Sequence, residues 1–458
     1  MKFYLNTLFL FSLFLYSFTP FVIGQVRIDE VVGKSAPKIN RARGNEILKE
    51  IKKVIKAYYY DKNYRGIDIE KKFDEAAEKI KQLETNAQIF RVIAGILLEF
   101  NDSHTRFTPP GRSNRVEYGF SMQMVGNDCF VVDVKKGSDA EQKGVKRGDR
   151  LVKIGQYDIT RDTLWVLNYF IYQLEPMPVL PITVLKQDGK QAEYNLTATF
   201  KTLKDRKKEA DERRKKVAEK PFICTKISAT VTACKLKSFS VEKKFIDQMM
   251  TEAEGSTKLI LDLRGNGGGY VKMNEYLSGH FINREIKVAD MLTRDKIRPI
   301  TSKPVKNRFF AGELAVLIDS RSASASEIFS RMIQIEKRGE VIGDVSAGAV
   351  MASYNIPMQI DRGVPGNETI TPFGLSITIA DLIMSDGNRL EHIGVIPNRL
   401  IGPTAQAIAN GSDPILAYAA ELFGANISSE DAGKLGFLFT KTEADDDDDD
   451  NKDNDSDL

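Results

Sequence analysis

Three short segments of the sequence carry residue types that could catalyse hydrolysis. The first, residues 321–328, reads RSASASEI and directly follows the short apolar run 314–318. If that run is a strand and a helix begins at Ser324, the serine lies at a sheet edge and the first amides of the helix face a developing oxyanion. The spacing of Ser324 and Glu327 also fits a capping box, which would make this a simple helix start. Both interpretations are open on this segment alone, and capping can coexist with catalysis.

The second segment is a glycine-rich turn. Residues 261–269 read LDLRGNGGG and begin in another apolar run. Glycines allow the backbone to approach a ligand closely and to turn its N–H groups inward. The glycine spacing is not that of a nucleotide-binding P-loop or of a dinucleotide fingerprint, which argues against phosphate binding. A tight turn without a ligand explains these residues equally well.

The third segment contains one of only three histidines in the chain, so a catalytic base or a metal site has few candidates. His104 follows Ser103 at the end of a predicted helix, His280 lies in a helix-like segment, and His392 follows Glu391. A lone histidine more often has a structural role. Serine, histidine and carboxylate, the residue types of a hydrolytic triad, are nevertheless all present. Three cysteines cannot build a four-cysteine zinc site, and we expect no metal or other cofactor.

Hydrophobic periodicity divides the chain into the regions that must position these residues. Residues 44–104 repeat apolar side chains at helical spacing, whereas residues 113–200 contain short β-rich runs separated by glycine turns. From 222 to 428 strand-like and helix-like segments alternate. The runs 259–263 and 314–318 have the continuous apolar character of buried strands in an α/β core. The sequence therefore predicts a multidomain α/β (α+β) protein.

The distribution of charge argues against some classes of function. The 66 Lys and Arg residues nearly balance the 63 Asp and Glu residues, and a net charge of +3 gives no reason to expect nucleic-acid binding. Residues 201–220 are almost wholly charged, and an exposed helix or linker explains them better than contact with nucleic acid or membrane. From residue 443 the chain is acidic and low in complexity, which indicates a disordered tail.

The first 24 residues are predicted to be a targeting signal. Lys2 precedes an apolar run that ends at Gly24, the pattern of a secretory signal peptide. An uncleaved membrane anchor is the alternative, since the run approaches the roughly 20 residues that span a bilayer. We therefore expect an exported protein, periplasmic or secreted. In such a compartment Cys224 and Cys234 could form a hairpin disulfide, and free buried thiols are an equally good prediction.

Two stretches together resemble a known family. Residues 262–269 and 322–328 resemble the tail-specific (C-terminal processing) serine proteases, and residues 118–149 look like the PDZ domain that these proteases carry. The resemblance implies a protease core of the ClpP/crotonase-like type. With the patterns above it predicts this order of regions: a signal peptide (1–24), an N-terminal helical region (25–112), a PDZ-like domain (113–200), a charged linker or helix (201–221), the protease core (222–428) and an acidic disordered tail (429–458).

The resemblance implies a serine nucleophile without the usual base. Ser324, the middle serine, would be the nucleophile, and the amides of Ala325 and of Gly268 or Gly269 would form the oxyanion hole. Many tail-specific proteases use a Ser/Lys dyad. Ala349 stands here at the position of the lysine. Alanine cannot accept a proton, so this chain cannot use the Ser/Lys mechanism at that position.

Another branch of the family suggests a different base. The tricorn-like branch has a Ser-His pair where this chain has Ser103 and His104, as part of a Ser/His/Ser/Glu tetrad. By this resemblance His104 takes the proton of Ser324 and later gives it to the leaving amine, while Ser103 and a glutamate orient the imidazole. Glu391 is the candidate, because the EHIGVIP segment that it begins resembles an element near the family's C-terminal end. Asn398 departs there from the family's aspartate.

The PDZ-like region implies how a substrate is held. The loop of Tyr118, Gly119 and Phe120 would offer amides to a terminal carboxylate while the peptide adds a strand to the sheet edge. A PDZ fold that only supports or occludes the core is the alternative. We expect a serine endopeptidase that acts on the C-terminal regions of proteins, with protein or peptide partners and no nucleic acid. A non-catalytic, peptide-binding pseudoprotease is the alternative function, which Ala349 keeps open.

Overall fold

The computed structural model describes residues 41–110, 114–202, 204–205, 208, 220–362 and 369–438, all within one compact unit. The predicted signal peptide and the acidic stretch from residue 443 lie outside these residues. In the part that is described, no helix is both long enough and apolar enough to cross a membrane. The mixed α/β fold class predicted from the sequence is confirmed.

The N-terminal region is helical, as its periodicity predicts. Its elements are α1 (Arg41–Tyr58), α2 (Ile69–Ile80), α3 (Asn86–Leu98) and the short strand β1 (Arg106–Thr108). Apolar side chains at helical spacing, such as Ile47, Ile51 and Phe73, are buried between the helices. Asp68 caps α2, and Thr85 forms a capping box on α3. The loop between α3 and β1 carries His104.

Residues 114–202 form a strand-rich module. Its elements are β2 (Asn114–Glu117), β3 (Phe120–Val125), β4 (Asp128–Val134), α4 (Asp139–Gln142), β5 (Arg150–Ile154), β6 (Tyr157–Asp158), α5 (Arg161–Asn168), β7 (Val179–Leu185), β8 (Gln191–Thr197) and β9 (Thr199–Thr202). The main sheet has the order β3-β4-β5-β7-β8, with β6 beside β5, and β2 pairs with β9. The predicted boundary after residue 200 therefore falls inside β9. A PDZ-like domain at this place stays a prediction.

The core is built on a six-stranded sheet with the order β10-β11-β12-β15-β16-β19. The core elements are β10 (Phe222–Lys226), β11 (Val231–Leu236), α6 (Lys243–Glu252), β12 (Lys258–Asp262), α7 (Val271–Ser278), β13 (Ile286–Thr293), β14 (Ile297–Ser302), β15 (Glu313–Ile318), α8 (Ala325–Ile335), β16 (Glu340–Gly343), β17 (Ala352–Arg362), β18 (Thr369–Met384) and β19 (Arg399–Leu400). Strands β11, β12, β15, β16 and β19 run parallel.

Both faces of this sheet are covered, which explains the continuous apolar runs of β12 and β15. Leu261 and Val316 pack into one hydrophobic cluster together with Phe329 of α8. Ile260 and Leu317, which alternate with them along the strands, face a second cluster on the other side. The C-terminal ends of β12, β15 and β16 meet at one edge, and the two segments singled out by the sequence follow β12 and β15 there.

A second sheet joins the N-terminal region to the core. It has the order β1-β18-β13-β14, and β17 pairs with β18. Phe107 of β1 lies opposite Leu375 of β18. Because β1 begins two residues after His104, this pairing holds the histidine loop against the core.

The C-terminal segment is structured further than the composition suggests. Helices α9 (Ala405–Asn410), α10 (Pro414–Leu422) and α11 (Ser429–Lys434) follow β19. The predicted start of the disordered tail at residue 429 is therefore wrong. Ser428 caps α11, and Ala432 and Phe437 are fully buried in the second cluster, so these residues belong to the core.

Cys224 and Cys234 form a disulfide between β10 and β11. The two residues lie directly opposite each other in the antiparallel pair. The disulfide alternative is therefore the one that the structure shows, because the strand register brings the two side chains together. The third cysteine, Cys129, is free and buried.

Candidate active site

Ser324 lies on a sharp turn between β15 and α8. Its backbone has φ 52° and ψ −116°. A side-chain-bearing residue adopts this left-handed φ only where its surroundings enforce it. Two acceptors hold the Ser324 N–H, the carbonyl oxygen of Ala349 at 2.8 Å and Oε2 of Glu327 at 2.9 Å. The turn therefore combines the predicted helix start with a strained backbone at the serine.

The glycine-rich turn packs directly against this serine. A Cβ at Gly268 would lie 2.6 Å from the Cβ of Ser324 and 3.1 Å from the nitrogen of Ala325. Gly268 also has a φ of 105°, so only glycine fits here. The two turns are joined by the N–H of Ala323, which donates to the carbonyl oxygen of Asn266 at 3.0 Å. The structure thus brings the first two predicted segments together.

The two candidate glycine amides have different surroundings. The Gly268 N–H donates to Oδ1 of Asn266 at 2.9 Å, so this amide is already engaged. Phe239 donates its N–H to the Gly268 carbonyl and accepts the N–H of Tyr270. These two bonds form an isolated parallel bridge between Phe239 and Gly269, in which the N–H of Gly269 is not bonded to Phe239. Gly269, rather than Gly268, is the glycine whose amide remains for the predicted oxyanion hole.

A buried aspartate fixes the loop that carries His104. Asp102 accepts the backbone N–H groups of His104 and Thr105 at 3.0 and 2.6 Å. It also accepts the hydroxyls of Tyr59 and Thr378 at 2.9 and 2.8 Å. One carboxylate therefore ties the histidine loop to the segment after α1 and to β18. This role of Asp102 was not predicted from the sequence. An aspartate that precedes a loop histidine by two residues is the pattern of an Asx turn, and that was the available signal.

Glu391, Ser103 and His104 form a hydrogen-bonded chain. The Ser103 Oγ lies 2.6 Å from Nδ1 of His104 and donates to Oε2 of Glu391 at 3.1 Å, while the Ser103 N–H donates to Oε1 at 2.7 Å. The Ser103 hydroxyl has a single proton, which it donates in the hydrogen bond to the Glu391 carboxylate. Oγ of Ser103 must therefore accept a hydrogen bond from Nδ1–H of His104. The lone pair of the imidazole is then on Nε2, as a general base requires.

Burial sets the charge state of this histidine. Desolvation lowers the pKa of His104 below its ordinary value, and the nearby charge of Arg106 acts in the same direction. The carboxylates of Glu391 and Asp102 oppose this shift because they favour the charged imidazolium. The net result is a neutral imidazole at neutral pH, beside carboxylates that stabilise it when it takes a proton.

The His104 chain and Ser324 meet through the segment after β16. The Val350 N–H donates to Oε2 of Glu391 at 3.0 Å, and the preceding residue, Ala349, accepts the Ser324 N–H. Within the residues that the structure describes, no hydrogen bond joins the side chains of Ser324 and His104. Ala349, at the position of the family's lysine, takes part through its backbone.

Glu327 holds this segment in place. Its carboxylate accepts the backbone N–H groups of Ser324, Gly348 and Ala349 and the hydroxyl of Ser346, at distances between 2.6 and 2.9 Å. Burial raises the pKa of Glu327 to about 7, although these hydrogen bonds favour the ionised form. The sequence indicates only a capping role for Glu327. Its other partners, Ser346, Gly348 and Ala349, lie about 20 residues away and carry no local pattern that could reveal them.

The predicted peptide-binding loop lies at the start of β3. The side chain of Tyr118 is buried and its hydroxyl bonds to the backbone of Met177. Gly119 has a φ of 80°, and its carbonyl oxygen accepts the N–H of Lys135 at 2.8 Å. Phe120 is also buried. A role of these three residues in peptide binding stays a prediction.

Comparisons with known proteins agree with this architecture. Residues 230–401 match the family described as peptidase family S41. The chain is 24% identical over 375 residues to a chloroplastic C-terminal processing peptidase of Tetradesmus obliquus, which covers 75% of this chain and 74% of the relative. It is 24% identical over 352 residues to the tail-specific protease of Haemophilus influenzae, covering 72% of this chain and 49% of the relative. The chain thus spans about half the length of that second relative.

Among solved structures, mature CPAF is similar in fold. It superimposes with a TM-score of 0.59 at 13% identity, over 86% of this chain and 98% of CPAF. A serine at a strand-to-helix turn in an α/β core, beside a glycine-rich turn, is the architecture of a serine hydrolase. The match of residues 230–401 to peptidase family S41 and the similarity to these relatives support the assignment to the tail-specific (C-terminal processing) proteases, and the chain is a serine-type peptidase.

Proposed function

We propose that this protein is an exported serine endopeptidase that cleaves in the C-terminal regions of proteins, with Ser324 as nucleophile and His104 as general base. The chain from Glu391 through Ser103 to His104 carries the proposal, because it leaves Nε2 of the imidazole free to accept a proton. The names of the relatives, which are C-terminal processing and tail-specific proteases, support the substrate class.

The proposed reaction is acyl transfer in two steps. Oγ of Ser324 attacks the scissile carbonyl and its proton passes to Nε2 of His104, while the amides of Ala325 and Gly269 bind the oxyanion. His104 then gives the proton to the leaving amine. A water molecule attacks the acyl-enzyme in the same way, with His104 again as base. Glu391 acts through Ser103 and stabilises the imidazolium in both steps.

The proposal includes a closing movement when substrate binds. Hydrogen bonds between catalytic groups are often long without a ligand and tighten in the Michaelis complex. The loop of His104 is anchored by Asp102 and Glu391, and the turn of Ser324 by Ala349 and Glu327. The two anchored loops share the segment 349–350, so a small displacement of this segment moves both side chains relative to each other.

Export and substrate recognition complete the proposal. The Cys224–Cys234 disulfide supports an oxidising compartment, periplasmic or extracellular, in agreement with the signal-like first 24 residues. We further propose that the loop of Tyr118, Gly119 and Phe120 recognises the terminal carboxylate of a bound peptide. The left-handed φ of Gly119 supports this part, since such turns direct successive N–H groups into one concavity.

Labelling with a fluorophosphonate probe, which phosphonylates activated serines, tests the catalytic proposal. We expect the full chain to be labelled and to hydrolyse fluorescein-labelled casein, and we expect Ser324→Ala and His104→Ala to lose both reactions. Ser385→Ala, on an exposed turn of the core, is the matched control and should react like the wild type. Labelling that survives Ser324→Ala would refute the assignment, and peptide binding without turnover would favour a pseudoprotease.

A further inference from the structure

His392 takes no part in the proposed reaction, although it follows Glu391 directly in the chain. Its backbone has a φ of 62°, in the left-handed region that a residue with a side chain adopts only where its surroundings enforce it. Its side chain is 42% exposed, so burial in the core does not account for this conformation. The hydrogen bonds of His392 must therefore hold it in place.

The backbone of His392 is joined to the segment after β16. Its N–H donates to the carbonyl oxygen of Gly348 at 2.8 Å. Gly348 has a φ of 70°, and a Cβ there would lie 3.1 Å from the carbonyl carbon of His392, so a glycine lets the two segments approach closely. Nearby, the N–H of Val395 donates to Oγ of Ser346 at 2.6 Å. His392 is thus fixed to the segment that supports the nucleophile.

The imidazole of His392 is joined to the loop that carries His104. Its Nε2 lies 2.8 Å from the carbonyl oxygen of Asn101. A carbonyl oxygen can only accept a hydrogen bond, so Nε2 of His392 carries a proton and donates it. The proposed base, His104, needs a free lone pair on its own Nε2. His392 is therefore a hydrogen-bond donor in this contact and not a second base.

Asn101 is held from two sides at the start of the histidine loop. Its backbone also has a left-handed φ, 48°. Its carbonyl oxygen accepts Nη1 of Arg65 at 2.5 Å as well as the imidazole of His392, so both lone pairs of this oxygen are used. Arg65 belongs to the N-terminal helical region and His392 to the core. The loop is therefore fixed to both regions at this one oxygen.

The two hydrogen bonds of His392, to Gly348 and to Asn101, are called the His392 bridge here. Gly348 lies one residue before the acceptor of the nucleophile's N–H, and Asn101 lies three residues before His104. The carboxylate of Glu391 connects the same two segments. Two consecutive residues thus join the two halves of the proposed site, one through its charge and the other through the bridge.

We propose that His392 is a positioning residue of the peptidase, whose bridge holds the loop of His104 at the distance from Ser324 that proton transfer requires when substrate is bound. This inference rests on the proposed function. His392 donates to Asn101 and acts on the reaction only through the loop. When the bridge is removed, the loop keeps its hydrogen bonds to Asp102 and Glu391, so the loss changes the rate of the reaction more than the stability of the fold.

His392→Gly tests the bridge, because glycine keeps the backbone N–H, adopts the left-handed φ without strain and removes only the imidazole. We expect kcat on casein to fall about five- to tenfold with little change in KM, in line with the loss of one hydrogen bond. Fluorophosphonate labelling should slow by a similar factor. Asn307→Gly, which relaxes a left-handed φ on an exposed turn, is the matched control. Labelling of His392→Gly at the wild-type rate would overturn the proposal.

His392→Gln distinguishes a hydrogen-bond donor from a base. The glutamine amide can donate to the carbonyl oxygen of Asn101, but it cannot accept a proton at neutral pH. We therefore expect His392→Gln to recover most of the rate that His392→Gly loses. A glutamine variant that has the thermal stability of the wild type and is as slow as His392→Gly would show that donation to Asn101 is not what the reaction needs, and the proposal would be wrong.

Hydrogen exchange separates failure of the bridge from failure of the proposed function. If the wild type is not labelled at all, the assignment of Ser324 fails. The bridge still predicts faster exchange of the backbone amides of residues 103–105 in His392→Gly, because these amides donate to Glu391 and Asp102 on the loop that the bridge holds. Exchange in α1 should stay as in the wild type. Unchanged exchange in residues 103–105 would contradict the bridge whatever the chemistry of Ser324.

Discussion

Glu391→Gln tests the hydrogen-bonded chain from Glu391 through Ser103 to His104. Oε1 of Glu391 accepts the N–H of Ser103, and Oε2 accepts both the Ser103 hydroxyl and the N–H of Val350. The amide nitrogen of glutamine faces a backbone N–H in either orientation. At the Oε2 position the amide nitrogen also donates to Oγ of Ser103, so the Ser103 hydroxyl donates to Nδ1 of His104 instead. The imidazole then carries its proton on Nε2, which can no longer accept one. At the Oε1 position the tautomer survives, but the negative charge is lost.

We expect Glu391→Gln to lower kcat by about 10³- to 10⁴-fold, since a wrong tautomer costs about 10⁴ in a serine protease triad. This corresponds to about 4–5 kcal/mol of transition-state stabilisation. The acid limb of the pH profile should also move to lower pH, because the Glu391 carboxylate opposes the lowering of the His104 pKa. Casein hydrolysis across the acid limb measures both effects. Glu285→Gln, an exposed glutamate paired with Lys303, is the control. A variant with a kcat within tenfold of the wild type and an unshifted acid limb would refute the role of Glu391 in this chain.

Three further predictions concern stability. The folded-state pKa of Glu327, about 7, lies above the ordinary 4.5. The contribution of Glu327 to the free energy of unfolding is therefore complete below about pH 4.5 and is lost as the pH rises through 7. Urea titrations should show that the free energy of unfolding falls by about 3 kcal/mol across this range, and this pH dependence should disappear in Glu327→Gln. Replacement of both Cys224 and Cys234 by alanine should cost about 2–3 kcal/mol and lower the Tm, with unchanged fluorophosphonate labelling. Asp413→Ala leaves the fully buried Arg264 guanidinium without its second carboxylate, and a loss of about 3–5 kcal/mol is expected in denaturant melts; a loss under about 1 kcal/mol would show that this pair is not needed.

The predictable parts of the fold are those with a local pattern. The helices from Arg41 to Leu98 follow from apolar spacing, and β12 and β15 follow from apolar runs buried on both faces. The predicted start of the disordered tail at residue 429 was wrong because the segment after it has no clear local pattern. Residues 429–437 are polar on average, and Ala432 and Phe437, which are buried in the core with Leu435 packed beside them, reveal that this segment is folded. Composition averaged over a window hides two buried side chains.

The site was predictable in its residue types but not in its connections. Ser324 and the glycine-rich turn carry a recognisable pattern, and Ser103, His104 and Glu391 were reached through a family resemblance. The structure places these last three in one hydrogen-bonded chain. The role of Asp102 in fixing the loop of His104 was not predicted, because an aspartate that accepts a hydrogen bond from a strand 276 residues away leaves no periodic pattern in the sequence.

Strand direction explains why the loops of this site meet. The C-terminal ends of adjacent parallel strands lie at one edge of a sheet, so the turns after β12, β15 and β16 converge without any long-range signal. His104 belongs to none of these turns. It arrives on the loop before β1, which a different sheet holds in place. The proposed base therefore needs carboxylate anchors of its own, and Asp102 and Glu391 supply them from two separate parts of the chain. The backbone of Ala349 still accepts the Ser324 N–H and donates to Glu327. An alanine at the position of the lysine therefore leaves the support of Ser324 intact.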